Sequence, residues 1–257
     1  MTGQFFKYFT ISLMLVSVSL ISKVEAQTKQ TGRFILGGNL GIQTADNWKM
    51  NTRTDSLNFD LFAETGRLAS KQDLGPGPVF DVSFSMGIWG KLGIGTTVSY
   101  FKNESSATII AQVPHPFFFE FPRTAIGSAN DITHEELAVH LQVHYRIPLS
   151  DNLSLLLFVG PTLFEAKQEL VDTITTTERG FPFNKVDIVS NTSQMISLSE
   201  NGYNLGFDLT YFIFNRFGTS FMLRYSRAAP SIYFAEESQS RLELGGVQVV
   251  GGIRLAF

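Results

Sequence analysis

The chain has no cysteine. That absence excludes disulfides, cysteine-ligated metals and a lipid-modified cysteine anchor. Beyond its first residues there is also no apolar run approaching the roughly 20 residues that a membrane-spanning helix needs. Lys and Arg form no cluster, and a net charge of −3 offers no basic face. Nucleic acid is therefore excluded as a partner. What the chain has in abundance is Phe, 24 in 257 residues. With no membrane helix to absorb them, a lipid-facing barrel wall with aromatic girdles holds that load more naturally than a soluble sandwich.

The first residues read as an export leader. Lys7 supplies the positive start, Phe9 to Leu20 an apolar core, and Val24-Glu25-Ala26 the small residues a signal peptidase requires. The core is too short to span a bilayer. The expectation is a cleaved leader at 1–26 and one mature domain at 27–257. Cleavage removes Lys7, Lys23 and Glu25 and moves the net charge from −3 to −4.

Along the mature chain, period-2 alternation marks eight strands. The first spans Arg33 to Thr44, with Phe34, Leu36, Leu40 and Ile42 on one face. The second places Phe80, Val82, Phe84, Met86 and Ile88 against Asp81, Ser83 and Ser85. The third runs from Leu92 to Tyr100. The fourth has the strongest contrast, with Leu137, Val139, Leu141, Val143 and Tyr145 opposing Glu136, His140, Gln142, His144 and Arg146. The fifth, Leu153 to Phe164, is apolar on both faces, which leaves its facing open. The sixth runs from Tyr203 to Ile213 and includes Asp208. The seventh sets Phe221, Leu223 and Tyr225 against Ser220, Met222 and Arg224. The eighth is Gly246 to Phe257.

Short turns follow the second, fourth and sixth strands, and longer segments follow the others. Apolar faces persist for five or six positions, about 20 Å at roughly 3.3 Å per residue. That rhythm is the one transmembrane barrels show. The predicted fold is all-β: an eight-stranded antiparallel transmembrane up-and-down β-barrel with long extracellular loops, in a bacterial outer membrane. Residues 33–44 are expected to close the ring against 246–257.

The last strand ends Gly252-Ile253-Arg254-Leu255-Ala256-Phe257. Gly252, Leu255 and Phe257 resemble the β-signal of bacterial outer-membrane proteins, which implies recognition by the barrel assembly machinery. Val250 departs from that pattern, which usually has a polar residue there. Arg33-Phe34-Ile35-Leu36-Gly37-Gly38-Asn39-Leu40-Gly41 is similar to the opening strand of the small outer-membrane β-barrel family that includes the PorT-like proteins. Phe158-Val159-Gly160-Pro161 resembles a mid-barrel strand of that family. OmpA- and OmpX-type barrels share the same layout. The resemblance implies an architecture and an outer-membrane lipid environment. PorT-like members assist a secretion system, so an accessory role of that kind is one alternative.

Two groups of residues are candidate sites. The first is a charge network on the predicted lumen face: Arg33, Asp81, Glu136, His140, His144, Arg146, Asp208, Arg224 and Arg254. An eight-stranded barrel is filled by its own side chains, and buried charges must pair. A proton or ion path is the sharper alternative. His140 and His144 lie about 13 Å apart on one strand, too far to share a metal, and no cofactor is implied. His134 with Glu135 and Glu136 suggests a rim pair for a lipid-modifying enzyme, but no Ser accompanies it. The second group is the loop aromatics Phe117, Phe118, Phe119, Phe121, Phe181 and Phe183, with a further apolar run at Leu57 to Phe62. Disordered loops rarely carry so many. Either they cap the barrel or they form a patch for a protein or surface ligand. Thr108 to Val113 and Lys185 to Val189 read as strands beyond the wall. The favoured function is non-enzymatic: a structural or binding barrel acting through its loops.

Overall fold

The computed structural model describes residues 34–44, 51–229, 231–234, 238–241 and 243–257. The predicted leader and Arg33 lie outside the described residues. Twelve strands follow in order: β1 (Phe34–Thr44), β2 (Asn51–Leu61), β3 (Glu64–Leu74), β4 (Gly77–Trp89), β5 (Leu92–Val113), β6 (Arg123–Pro148), β7 (Leu153–Glu178), β8 (Val186–Phe212), β9 (Phe217–Ala228), β10 (Ser231–Phe234), β11 (Ser238–Arg241) and β12 (Leu244–Ala256).

Eight of them close a ring, β1–β4–β5–β6–β7–β8–β9–β12, each antiparallel to the next. The seam pairs Ile35 with Ala256 and, nine positions up the ladder, Thr44 with Val247. Phe34 and Phe257 exchange backbone hydrogen bonds of 3.2 and 2.9 Å and lock its end. Closure thus occurs between the strands expected from the two ends of the mature chain. Full closure leaves the wall without an edge strand, which removes the usual liability of a β-sheet.

Alternation sorts the wall into two faces. Outward-pointing Leu36, Phe80, Ile94, Val143, Val159 and Phe221 stay exposed. They form a continuous apolar belt around the ring. At the short-turn end the belt finishes on exposed Trp89, Tyr145, Tyr211, Phe214 and Phe257. At the far end it finishes on Phe80, Tyr100 and Tyr203, with the Tyr203 and Tyr225 rings 6.1 Å apart. Just beyond, the outward positions become charged, and Lys102, Glu135 and Lys167 face one another across β5, β6 and β7. A hydrogen bond from Lys102 to Glu104 at 2.9 Å raises the lysine's pKa.

Four wall strands run far past the belt, which corrects the expected boundaries. β5 continues beyond Tyr100 to Val113, β6 begins at Arg123, β7 reaches Glu178 and β8 begins at Val186. The run Leu57 to Leu61, expected in a loop, lies in β2, and Phe62 turns the chain into β3. The β2–β3 hairpin then joins this extension, pairing Arg67 with Gln112 and, further along, Gln72 with Ala107. The result is a six-stranded sheet, β2–β3–β5–β6–β7–β8, standing above one side of the ring. It has its own core of Leu68, Ile109, Val113, Ile132, Val171 and Val186. A bulge at Asn130–Asp131 flips the parity of β6, so even residues face in below it and Ala125 and Ala129 face in above. Without that extra residue, the apolar face of the extension would turn to solvent.

Candidate functional site

The structure places Asp81, Glu136, His140, His144, Asp208, Arg224 and Arg254 inside the ring, all buried, with Arg146 half-buried beside them. They form a stack of hydrogen-bonded layers along the axis. Nearest the short-turn end, Arg254 donates to Asp208 through Nε at 3.1 Å and to Asn39 at 2.7 Å. Thr210 donates to the same aspartate at 2.7 Å, and Asn39 donates onward to Asp81. Mid-barrel, Arg224 meets Asp81 at 3.0 Å and Gln248 at 2.5 Å.

Above that, Gln248 donates to Gln43 at 2.5 Å and Gln43 to Glu136 at 2.9 Å. Glu136 also accepts the Gly245 amide at 3.1 Å and faces His134 at 2.8 Å. Gln168 donates its amide protons to Gln72 and to the Glu169 carbonyl, which turns its oxygen toward His134 Nδ1 at 2.7 Å. Both ring nitrogens of His134 thus face side-chain oxygens.

Two ion pairs, Arg254–Asp208 and Arg224–Asp81, each inside the ring and each hydrogen-bonded further, meet the condition for burying charge. Between them lies an apolar layer of Val79, Phe101, Phe158, Met222 and Val250. His140 is held by Ser99 and Thr162, both at 2.9 Å, and is fully buried. The expected rim pair exists as a contact, but His134 and Glu136 are sealed inside because β6 continues past them. Glu135 points outward instead. Among the described residues no group of three metal-ligating side chains converges.

Side chains therefore block the lumen across its section. In planar bilayers the protein is expected to give no stable conductance steps, since eight strands leave room only for side chains. Steps of porin size would contradict the packed layers.

The second candidate lies at the far tip of the extension, where 114–122 joins β5 to β6 and 179–185 joins β7 to β8. Phe117, Phe118, Phe119, Phe121 and Phe181 are 60% to 88% exposed. They are neither scattered nor loose. Phe183 stacks within 5.5 Å of Phe117 and 6.1 Å of Phe181, and the His115 ring lies 4.8 Å from Phe118. Two buried polar residues fix the loops beneath them. His115 Nδ1 accepts the amides of Phe117 and Phe118 at 3.1 and 3.2 Å, and its Nε2 reaches the Pro182 carbonyl at 3.3 Å. Arg123 forks onto Glu178 at 2.8 Å and donates to the carbonyls of Pro114 and Phe183, both at 2.6 Å. Alongside, Arg179 pairs with Asp187, a hydrogen bond that raises the arginine's pKa.

His115 and Arg123, which shape the tip, and the amides Gln43, Gln168, Gln248 and Asn204, which knit the lumen, escaped the reading by residue type. His115 sits between two prolines ahead of four aromatics, a local signal for a capped turn. The lumen amides have no such signal, because their partners lie tens of residues away in sequence.

No family model matches this chain, and no curated protein matches it. Solved outer-membrane β-barrels are among the structures it is similar to. Neisserial surface protein A aligns at 10% identity over 89% of this chain and 99% of that one, with a TM-score of 0.41. The outer membrane protein OprG from Pseudomonas aeruginosa aligns at 10% identity over 91% and 99%, with a TM-score of 0.45. The outer membrane protease OmpT from Escherichia coli aligns at 14% identity over 91% and 99%, with a TM-score of 0.37.

Proposed function

We propose that this chain is a bacterial outer-membrane barrel whose wall is an anchor and whose strand-built extension presents a phenylalanine tip as a non-enzymatic binding surface. The observation that carries this reading is the exposed aromatic cluster on a scaffold that holds it rigid. Each of its rings forgoes about 1.5–3 kcal/mol by staying out of an apolar environment. A fold that needed only a cap would have turned those rings inward, onto the core of Leu68, Ile109 and Val113 directly beneath.

The apolar belt supports a bilayer position for the wall. Its aromatic margins and the charged outward positions beyond them are the pattern of a membrane-spanning barrel. The sequence pattern of an export leader at 1–26 supports export, and the likeness of Gly252, Leu255 and Phe257 to the β-signal supports handover to the barrel assembly machinery. The lumen charges act as internal packing: Asp81, Glu136, Asp208, Arg224 and Arg254 are each spent on a partner that also belongs to the wall. The non-enzymatic reading is supported by burial, since all four histidines are at most 3% exposed and none offers a nitrogen to a substrate.

The test replaces residues 114–122 with an Asn-Gly turn, which the Val113–Arg123 pairing can accept. The variant is expected to remain heat-modifiable on gels, because the wall lies far below the cut. It is also expected to lose, by about tenfold or more, every surface contact that photo-crosslinking from position 181, in the retained second loop, recovers with the native tip. Unchanged crosslinks from neighbouring tip positions would defeat the binding reading.

A further inference from the structure

Much of the tip's backbone hydrogen-bonding capacity is spent within the tip itself. Pro114, Pro116, Pro122 and Pro182 have no backbone N–H. The amides of Phe117 and Phe118 are already taken by His115, that of Glu120 by Glu64 at 2.8 Å, and that of Phe183 by the Gly180 carbonyl at 2.7 Å. The carbonyls of Pro114 and Phe183 are taken by Arg123, and that of Pro182 by His115. Glu120 (φ 59°) and Phe183 (φ 62°) are held in left-handed backbone, which costs a non-glycine residue about 1–3 kcal/mol and persists because the surroundings impose it. The cluster is thus held from within by bonds that also occupy four of its amides.

Such a surface matches one kind of partner better than others. In hydrocarbon, each unsatisfied backbone group costs several kcal/mol, so loops that enter lipid are favoured when they spend donors internally, as the amides of Phe117, Phe118, Glu120 and Phe183 do. A protein interface makes the opposite demand. It favours Tyr, Trp and Arg anchors with about one hydrogen bond per 100–200 Å², and here the exposed anchors are all Phe. Charge complementarity points the same way. Around the rings, Glu64 and Glu120 stand against Lys185 and the paired Arg179 and Asp187, with no basic cluster to seek anionic headgroups. From Tyr100 at the belt margin to Val113, β5 rises roughly 30–40 Å, so the tip cannot bend back into the bilayer that holds the wall.

We infer that the tip inserts its phenylalanines into the acyl region of an apposed zwitterionic lipid surface. This rests on the reading of the tip as the binding surface and names the partner.

The test uses the full protein in nanodiscs, so that the wall is already satisfied, mixed with palmitoyl-oleoyl-phosphatidylcholine vesicles and separated by flotation. The native protein is expected to float with the vesicles. The variant Phe117→Ser/Phe118→Ser/Phe119→Ser should float at least about tenfold less while remaining heat-modifiable, since burying each ring is worth about a factor of ten or more. A second variant, Phe118→Trp, should show fluorescence quenched by vesicles carrying brominated acyl chains, above the level of the native tryptophans. Equal flotation of the native and triple-serine proteins overturns the inference, as does flotation only with vesicles containing phosphatidylglycerol. If the native protein does not float but its crosslinks from position 181 are lost in the serine variant, lipid is overturned while the binding reading stands. If neither flotation nor crosslinks depend on the rings, both fall.

Discussion

Replacing Arg224 with Met is expected to lower the unfolding free energy by about 3–5 kcal/mol, the usual cost of breaking a buried pair from one side. Arg224 and Asp81 are both fully buried, 3.0 Å apart, in the middle of the ring. Without the guanidinium, Asp81 keeps only the Asn39 amide as a partner, and Gln248 loses the donor that orients it toward Gln43. The double variant Arg224→Met/Asp81→Leu should recover most of the loss, because an apolar pair of similar volume leaves no stranded charge. Urea unfolding in lipid vesicles, followed by tryptophan fluorescence, measures both. A single variant within about 1 kcal/mol of the native protein would mean that the charge is not buried as described.

The seam yields the other large effect. A Cβ at Gly252 would fall on the Gly38 carbonyl and the Asn39 amide oxygen, and within 2.9 Å of Asn39 Cγ. Asn39 cannot yield without releasing Arg254 and Asp81, so the strain spreads through the lower lumen. Gly252→Val is therefore expected to abolish the heat-modifiable folded band, going past the roughly 1–3 kcal/mol typical of an overpacked core. Its neighbour is the control. A Cβ at Gly251 points outward and would meet nothing nearer than the Ser220 carbonyl at 3.8 Å. Gly251→Val should assemble normally. Equal loss in both variants would show that strand flexibility, and not the packing of Gly252 against Asn39, is what matters.

Eight strands were legible because lipid and a filled lumen impose opposite demands on alternate residues. β6 below Glu135 shows this most sharply, with Leu141, Val143 and Tyr145 outward and His140, Gln142 and His144 inward. The facing of β7 was not legible, since the lumen at its level is itself apolar: Phe158 and Phe164 face in while Leu157 and Val159 face out. The same layer explains why Val250 stands where a polar residue is usual, packed with Val79 and Met222. That the wall strands run unbroken into the extension was not legible for a related reason. Between Lys102 and Ala107 the outward residues become Lys102 and Glu104 and the inward ones Asn103, Ser105 and Ala107, so the contrast that marked the wall disappears although the strand continues. Thr108 to Val113 and the residues from Val186 were read as strands beyond the wall, but that they form one sheet with the β2–β3 hairpin depends on pairings between distant segments. The tip aromatics stood out by composition. Their rigid support on His115 and Arg123 did not, because it joins two loops more than fifty residues apart.

The absence of native cysteine makes one measurement especially direct. Single cysteines placed at Leu40, Val143, Val159 and Ile253 on the belt, and at Phe118 and Phe181 on the tip, are exposed to a membrane-impermeant maleimide on intact cells. The tip positions should label fully, and the belt positions should label only after the protein is extracted and unfolded. Belt cysteines that label on intact cells as readily as those at the tip, or tip cysteines that stay silent, would contradict a membrane-embedded wall carrying an exposed aromatic tip.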